Sequence, residues 1–457
     1  MYDKNIDVIT GDPKKAIVKL SIPICITLII SVLYNVVDTI WVSGLGSDAL
    51  SAIGFLSPLY LVFISFGTGI GAGANSLISR FIGADNHQQA NNVGLHAFIL
   101  GAIVSIIPTI LILIFMKPIL ILIGAGMVLS YAMDYGYIIF LFLFVFTFST
   151  VASAIFRAEG NMRKATSTLI LSAVLNSILD PIFIYTLNLG MKGAAWASVI
   201  SALISCIIMA YWIWVKKDMY LNLTYKDFSL NFQIIKDILN LAIPSTLEMI
   251  LIGGLSLILN IFILKVSGTM AVAVFTASIR IVQVAIIPLN SISTALLTVG
   301  GVAYGANNIK DLKTAHSFSI RLSFVLAILI ASIMVIFSSQ IAILFSYSSA
   351  SAVLTPQIAS TVTLLSLYVL AMPHGLMSSA IFESIGKGFY CLILTVIKSL
   401  LLESVFAFLF CFFLGWGLTG IYLGIIFGCF LGSVLGYVWV KIFIHRLEEK
   451  DTTGSVQ

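Results

Sequence analysis

The sequence predicts an all-α polytopic membrane protein: twelve transmembrane helices in two six-helix lobes related by an internal repeat. Three observations lead there: a composition too poor in charge to face water, long apolar runs, and motifs that recur half a chain apart. Of the 457 residues, 60% are hydrophobic and 9% charged, where a soluble domain carries about 25% charged residues. Lipid must therefore be the solvent for most of the surface. The runs are continuously apolar rather than alternating, which excludes a β-barrel.

A helix needs about 20 apolar residues to cross the hydrocarbon core. Splitting the long runs at Gly, Pro and polar clusters places spans at 16–42, 50–78, 93–115, 131–156, 165–186 and 193–215. The second set lies at 237–264, 271–303, 316–346, 357–384, 388–412 and 417–441. The implied organisation is a first lobe over 1–215, a cytoplasmic linker over 216–236 and a second lobe over 237–457. The opening segment has no A-x-A-like cleavage site after its first apolar run, so the first hydrophobic helix is expected to stay in the protein. Cys25, Cys206, Cys391, Cys411 and Cys429 lie in apolar stretches without a CxxC pair and read as small buried residues.

Basic residues set the topology. With the N-terminus inside, the cytoplasmic segments hold Lys4, Lys14, Lys15, Lys19, Arg80, Arg157, Arg163, Lys164, Lys216, Lys217, Lys226 and Lys236. Lys310, Lys313, Lys387, Lys441, Arg446 and Lys450 continue the series, while the opposite face holds Lys117, Lys192 and Lys265. Both termini are thus expected in the cytoplasm of a cell that carries the protein in its plasma membrane. The net charge of +5 is a topology signal, and without a basic patch in soluble context no nucleic-acid partner is expected.

The halves repeat. LSIP (20–23) matches LAIP (241–244), and FIGADNHQQA (81–90) matches AYGANNIKDL (303–312). ASAIFRAEGNMRKA (152–165) resembles SSAIFESIGKGFYC (378–391), and GMKGAAWAS (190–198) resembles GLTGIYLGI (417–425). Each match falls at the same point of its half. Six spans per half makes the halves parallel, and such repeats place a substrate site between them near the bilayer midplane.

Particular motifs carry a family resemblance. NVVDTIWVSGLG (35–46), the loop after the second span, FRAEGN (156–161) and NSILDPIFIY (176–185) resemble the multidrug and toxic compound extrusion (MATE) family, with the N-x-x-x-D-P element closest to its DinF-type and related prokaryotic members. The likeness covers nearly the whole chain. It implies a twelve-helix exporter that exchanges amphipathic organic cations for protons or sodium by rocking two lobes.

Charges inside spans are expensive and are functional candidates by default. Asp38 follows eighteen uncharged residues, and Asn176 and Asp180 share one helix face at i, i+4. Pro181 lacks an N–H and frees the carbonyl of Ser177, adding an acceptor beside that face. Two carboxylates, an amide and a free carbonyl suit H⁺ or Na⁺. The resemblance implies that Asp38, Asn176, Asp180 and Ser198 form a coupling-ion site, and hence a metal site if the ion is Na⁺. Tyr34, one turn before Asp38, is positioned to hydrogen-bond into it. In the second half Asp38 maps to Leu259 or Asn260, so one such site is expected.

The second lobe instead offers Glu248 and Arg280 as possible coupling or substrate groups, together with Lys398 and Glu403. An internal ion pair among these four is the alternative. Glu383 reads as interfacial and His374 as packed. Arg280 is taken as the one arginine well inside a span. Pro23, Pro108, Pro288 and Pro373 are expected to kink their helices, and GTGIGAGA (67–74) reads as a helix-packing stripe rather than a nucleotide loop.

Neither HExxH nor GxSxG occurs, so no enzyme is expected, and no cofactor beyond the coupling ion. The expected partners are a small-molecule substrate and the bilayer, with no obligatory protein partner. A flippase of lipid-linked precursors is the alternative function; the scarcity of intramembrane arginine disfavours it. Reporter fusions near Lys226 and at the C-terminus should both give a cytoplasmic signal, and a periplasmic signal from either contradicts the twelve-span arrangement.

Overall fold

The computed structural model describes residues 3–224, 228–345 and 352–452, and every regular element among them is helical. Lys226 lies outside the described residues. After a short helix, Asp3–Thr10, come α1 (Pro13–Ser43), α2 (Ser47–Gly83), α3 (His87–Leu122), α4 (Ala125–Leu141 with Leu143–Ala158), α5 (Met162–Thr186) and α6 (Gly190–Val215). The second half opens with helical chain over Phe232–Ala285, inside which Gly268 is non-helical (φ 76°, ψ −173°). A straight 54-residue helix would run about 80 Å against a hydrocarbon core of about 30 Å. Gly268 therefore separates α7 (232–267) from α8 (269–305), whose last part is Ile287–Gly305. The remaining spans are α9 (Ile309–Ile336), α10 (Thr355–Ser384), α11 (Gly388–Phe413) and α12 (Gly417–Glu449). The described residues thus hold twelve spans.

The repeat extends to the turns. Left-handed backbone occurs at Gly46 and Gly268, Asp85 and Asn307, Gly160 and Gly386, Asn188 and Gly415, and Gly190 and Gly417. Each pair stands at the same joint of its half. Asn86 and Asn308 cap α3 and α9 in the same way, each accepting from the backbone N–H three residues on.

Two compact units result: residues up to Gly11 with Ile22–Thr246, and Asp12–Ser21 with the chain from Leu247 onward. In the first, the glycines at 67–74 pack two ways. A Cβ at Gly73 would stand 2.7 Å from the Ile238 carbonyl oxygen, and one at Gly69 2.5 Å from that of Ala242. Gly67 and Gly71 meet Thr147 and Ala154 of α4. This close approach holds the first turns of α7 to α2. It explains why this unit runs to Thr246, ten residues past the expected start of the second lobe.

Several sequence expectations on helix geometry need correction. Of the prolines expected to kink their helices, Pro23, Pro108 and Pro373 lie inside α1, α3 and α10. Pro288 follows a break at Ile286. A sharp bend, 49°, lies in α4 between Leu141 and Leu143, where there is neither Gly nor Pro. Its cause comes from another helix: the Thr109 hydroxyl on α3 donates to the Phe140 carbonyl at 3.0 Å, entering the α4 ladder. α9 occupies 309–336 rather than 316–346, because its polar first turns are helical and Phe337 ends it. Arg321, twelve residues into α9, joins Arg280 as an arginine within a span.

Polar side chains fasten the linker to the first unit. Asn92 donates to Ser229, and His96 Nε2 accepts the Asn231 N–H at 3.1 Å. Lys164 and Lys216 both pair with Asp218. Glu159, buried in the turn after α4, accepts the backbone N–H groups of Tyr220 (3.0 Å) and Leu221 (3.4 Å). Burial pushes its carboxyl up from 4.5 to about 8, against the backbone N–H of Leu221 and the Lys164 charge, which favour the ionised form. Below the lower value the group is protonated whether the chain is folded or not. Above it the unfolded chain releases the proton first, so the contribution of Glu159 to stability falls as pH rises toward about 8. Glu159→Gln keeps an acceptor and cannot ionise. It should remove that slope, so thermal unfolding in detergent followed between about pH 5 and about pH 8 should show the wild type losing ground to the variant. A constant difference across the range contradicts this account.

Candidate functional site

Three helices of the first unit build the site. On α5, Asn176 and Asp180 are both fully buried (0% exposed), one turn apart on the inner face. After Pro181 the helix widens: Ile182–Thr186 is a π segment closed by the Leu187 N–H on the Ile182 carbonyl at 2.8 Å. A proline without an N–H followed by a π turn is a common way for a helix to re-aim side chains at a functional site. On α6, Ser198 is buried against the same face.

The hydrogen bonds run in one chain. Asn176 Nδ2 donates to Asp180 Oδ1 at 3.2 Å and to Ser198 Oγ at 3.3 Å. From α1, the Tyr34 hydroxyl donates to Ser198 Oγ at 3.5 Å. Asp38, one turn farther along α1, lies within electrostatic reach of Asp180. A cavity of about 190 Å³ opens here, lined among others by Tyr34, Asn35, Asp38, Tyr60, Tyr135 and Ser198. The structure thus brings together all five residues singled out for this lobe. Tyr60 and Tyr135, which the sequence reading missed, complete the wall; two tyrosines in apolar spans give no periodic signal.

Three oxygens stand out. Asp38 Oδ1, Asn176 Oδ1 and Asp180 Oδ2 are buried and accept no hydrogen bond. A buried acceptor without a partner costs about 1–3 kcal/mol, more when charged, so three in one place are a strong demand for a cation or a proton. Carboxylate, amide and hydroxyl oxygens are hard donors suited to either.

The second unit holds a different polar cluster. Glu248 of α7 accepts from the Thr395 hydroxyl and from Cys391 Sγ (3.1 Å), both on α11. Glu383, at the end of α10, joins them: one ligand atom each from Glu248, Glu383 and Cys391 lies within 4.8 Å of the others. Glu383 is therefore part of a side-chain cluster rather than simply interfacial. Arg280 is exposed on α8. Lys398 lies in electrostatic reach of Glu248 and Glu403, but among the described residues Glu248, Arg280, Lys398 and Glu403 form no ion pair with one another. Glu403 is fully buried with Oε1 unpartnered, its other oxygen 3.5 Å from the Tyr368 hydroxyl. His374 packs on Tyr437 and Phe324.

Comparison with known proteins places this geometry. The family described as MatE matches residues 23–182 and 244–409, one match per half. The chain is 26% identical over 409 residues to a multidrug export protein, MepA, of Staphylococcus haemolyticus, covering 89% of this chain and 88% of that one. It is 28% identical over 369 residues to an FAD transporter of Shewanella oneidensis, covering 79% and 78%. Among solved structures, a MATE crystallised in complex with MaL6 superposes with a TM-score of 0.95 at 36% identity, over 98% of this chain and 99% of that one. With both halves matched and the twelve-span fold shared, the chain belongs to the MatE family of multi-pass membrane transporters and is not an enzyme.

Proposed function

We propose that the protein is a cation-coupled antiporter of the cell membrane, with both termini cytoplasmic, which exports amphipathic organic cations in exchange for protons or sodium by alternating access. The observation that carries the reading is the trio of buried, unpartnered oxygens on Asp38, Asn176 and Asp180. The multidrug export protein among its relatives supports the drug substrate.

The physical logic is reciprocal. A proton or sodium ion neutralises a carboxylate pair in a low-dielectric pocket, and supplies the partner those oxygens lack. Asp38 belongs to α1 and Asp180 to α5, so occupancy changes how the two helices attract one another. That difference biases α1 between two packings, and the packing that binds the coupling ion is the one that releases the drug. One charge entering down ~150 mV supplies ~3.5 kcal/mol, enough for a few-hundred-fold gradient of a neutral solute. Exchange of one cation for another cancels the electrical part and leaves the chemical gradient as the drive.

The test is transport in proteoliposomes under an imposed pH or sodium gradient, with ethidium as the cationic probe and FAD as an anionic one. Asp38→Asn and Asp180→Asn should each drop ethidium movement to background while the protein still inserts and purifies. Asparagine keeps the shape but cannot ionise. Glu248→Gln should weaken transport without abolishing it. Normal coupled transport by the two aspartate variants with a dead Glu248→Gln moves the coupling chemistry to the second lobe. Gradient-driven FAD movement without ethidium movement replaces the substrate class.

A further inference from the structure

In the second unit, at the junction of α1 and α9, Lys14, Lys313, Thr314, Ser317, Phe318 and Arg321 line a concave surface cavity of about 260 Å³. Among the described residues no acidic side chain lines it. The four α9 positions 314, 317, 318 and 321 recur at helical spacing, so one face of α9 forms the floor. Lys14 comes from the first turn of α1, in the segment Asp12–Ser21 that packs with this unit. Lys313 is already neutralised by Glu448, its Nζ 2.8 Å from Oε1 and 3.1 Å from Oε2. Lys14 and Arg321 are exposed and form no ion pair among the described residues. The cavity therefore keeps about two uncompensated positive charges with two hydroxyls beside them.

Its depth identifies the ligand. From 322 to 336, α9 carries no charged residue, and Phe324, Val325, Ile328 and Leu329 are exposed apolar side chains. On α1 the exposed apolar side chains begin at Val18, one turn after Lys14. Uncharged stretches thus follow the basic residues on both helices, 20–37 after Lys19 on α1 and 322–336 after Arg321 on α9. The cavity therefore borders the apolar stretches of two spans, and a soluble anion has no use for that apolar margin.

We infer that this cavity binds the phosphate of an acidic phospholipid, with Lys14 and Arg321 holding the charge and Phe318 meeting the glycerol and upper acyl segment. Basic recesses between spanning helices at an interface recognise anionic headgroups in this way. The site is separate from Asp38, Asn176 and Asp180 and does not depend on the transport mechanism proposed above.

Purified full-length protein, stripped of native lipid, should gain thermal stability on titration with phosphatidylglycerol, but not with phosphatidylcholine or with inorganic phosphate. Each basic side chain near an anionic surface is worth a factor of about five, so Lys14→Gln/Arg321→Gln should need about thirtyfold more phosphatidylglycerol for the same shift. The charge-matched control is Lys15→Gln/Lys310→Gln, on the same two helices but outside the cavity, and it should titrate as wild type. If the double variant does not purify, Lys14→Gln alone should show about a fivefold loss. Equal titration of the cavity variant and the control overturns the proposal. So does a shift produced by phosphatidylcholine or by inorganic phosphate to the same extent.

Discussion

Inside a bilayer every polar group must find its partner within the protein, because no water is there to supply one. This protein obeys that constraint almost everywhere. Serine and threonine hydroxyls in the spans turn back to carbonyls of their own helix, as Thr27 does to Pro23 and Ser278 to Val274. Exceptions occur in both units, among them Asn260, Glu403 and Tyr422, and three of them belong to residues of one site. One carboxylate oxygen each of Asp38 and Asp180, with the amide oxygen of Asn176, remains unpartnered in the first unit, and the architecture around them makes sense as a means of holding that demand in place. Pro181 and a π turn follow Asp180 on α5, Ser198 accepts from both Asn176 and Tyr34, and Asp38 lines the cavity from α1.

The two halves share a backbone and not a chemistry. Their left-handed turns and asparagine caps repeat joint for joint, which fixes where each helix starts. Yet Asp38 maps onto Leu259 or Asn260, and Asp180 maps near Ala407. The second unit's polar groups gather elsewhere, around Glu248, Glu383 and Cys391 from three different helices. A duplicated scaffold preserves what folding needs, namely turn geometry and the small residues of close helix packing. The polar chemistry inside each half is free to differ.

What could be read from the sequence was whatever is local. Span length, the repeat and the i, i+4 pair Asn176 and Asp180 are properties of one segment, and each is visible as a run or a spacing. What could not be read is what one helix does to another. The bend of α4 arises from Thr109 of α3, so no motif in 131–156 announces it. Glu383 read as interfacial because it stands near a helix end, and its meeting with Glu248 needs α7, α10 and α11 together. Gly268 was within reach, since it repeats Gly46, the glycine ending the first helix's motif.

The central claim is that coupling ion and drug compete through the Asp38 and Asp180 carboxylates. Calorimetric titration of purified protein with ethidium, in buffers of different ionisation enthalpy and with or without sodium, measures this directly, because linkage between two ligands is reciprocal. Ethidium binding to the wild type should release protons or sodium and weaken as either is raised, and Asp38→Asn should bind ethidium with no such release. Affinity independent of both ions, or undiminished release from Asp38→Asn, contradicts the account.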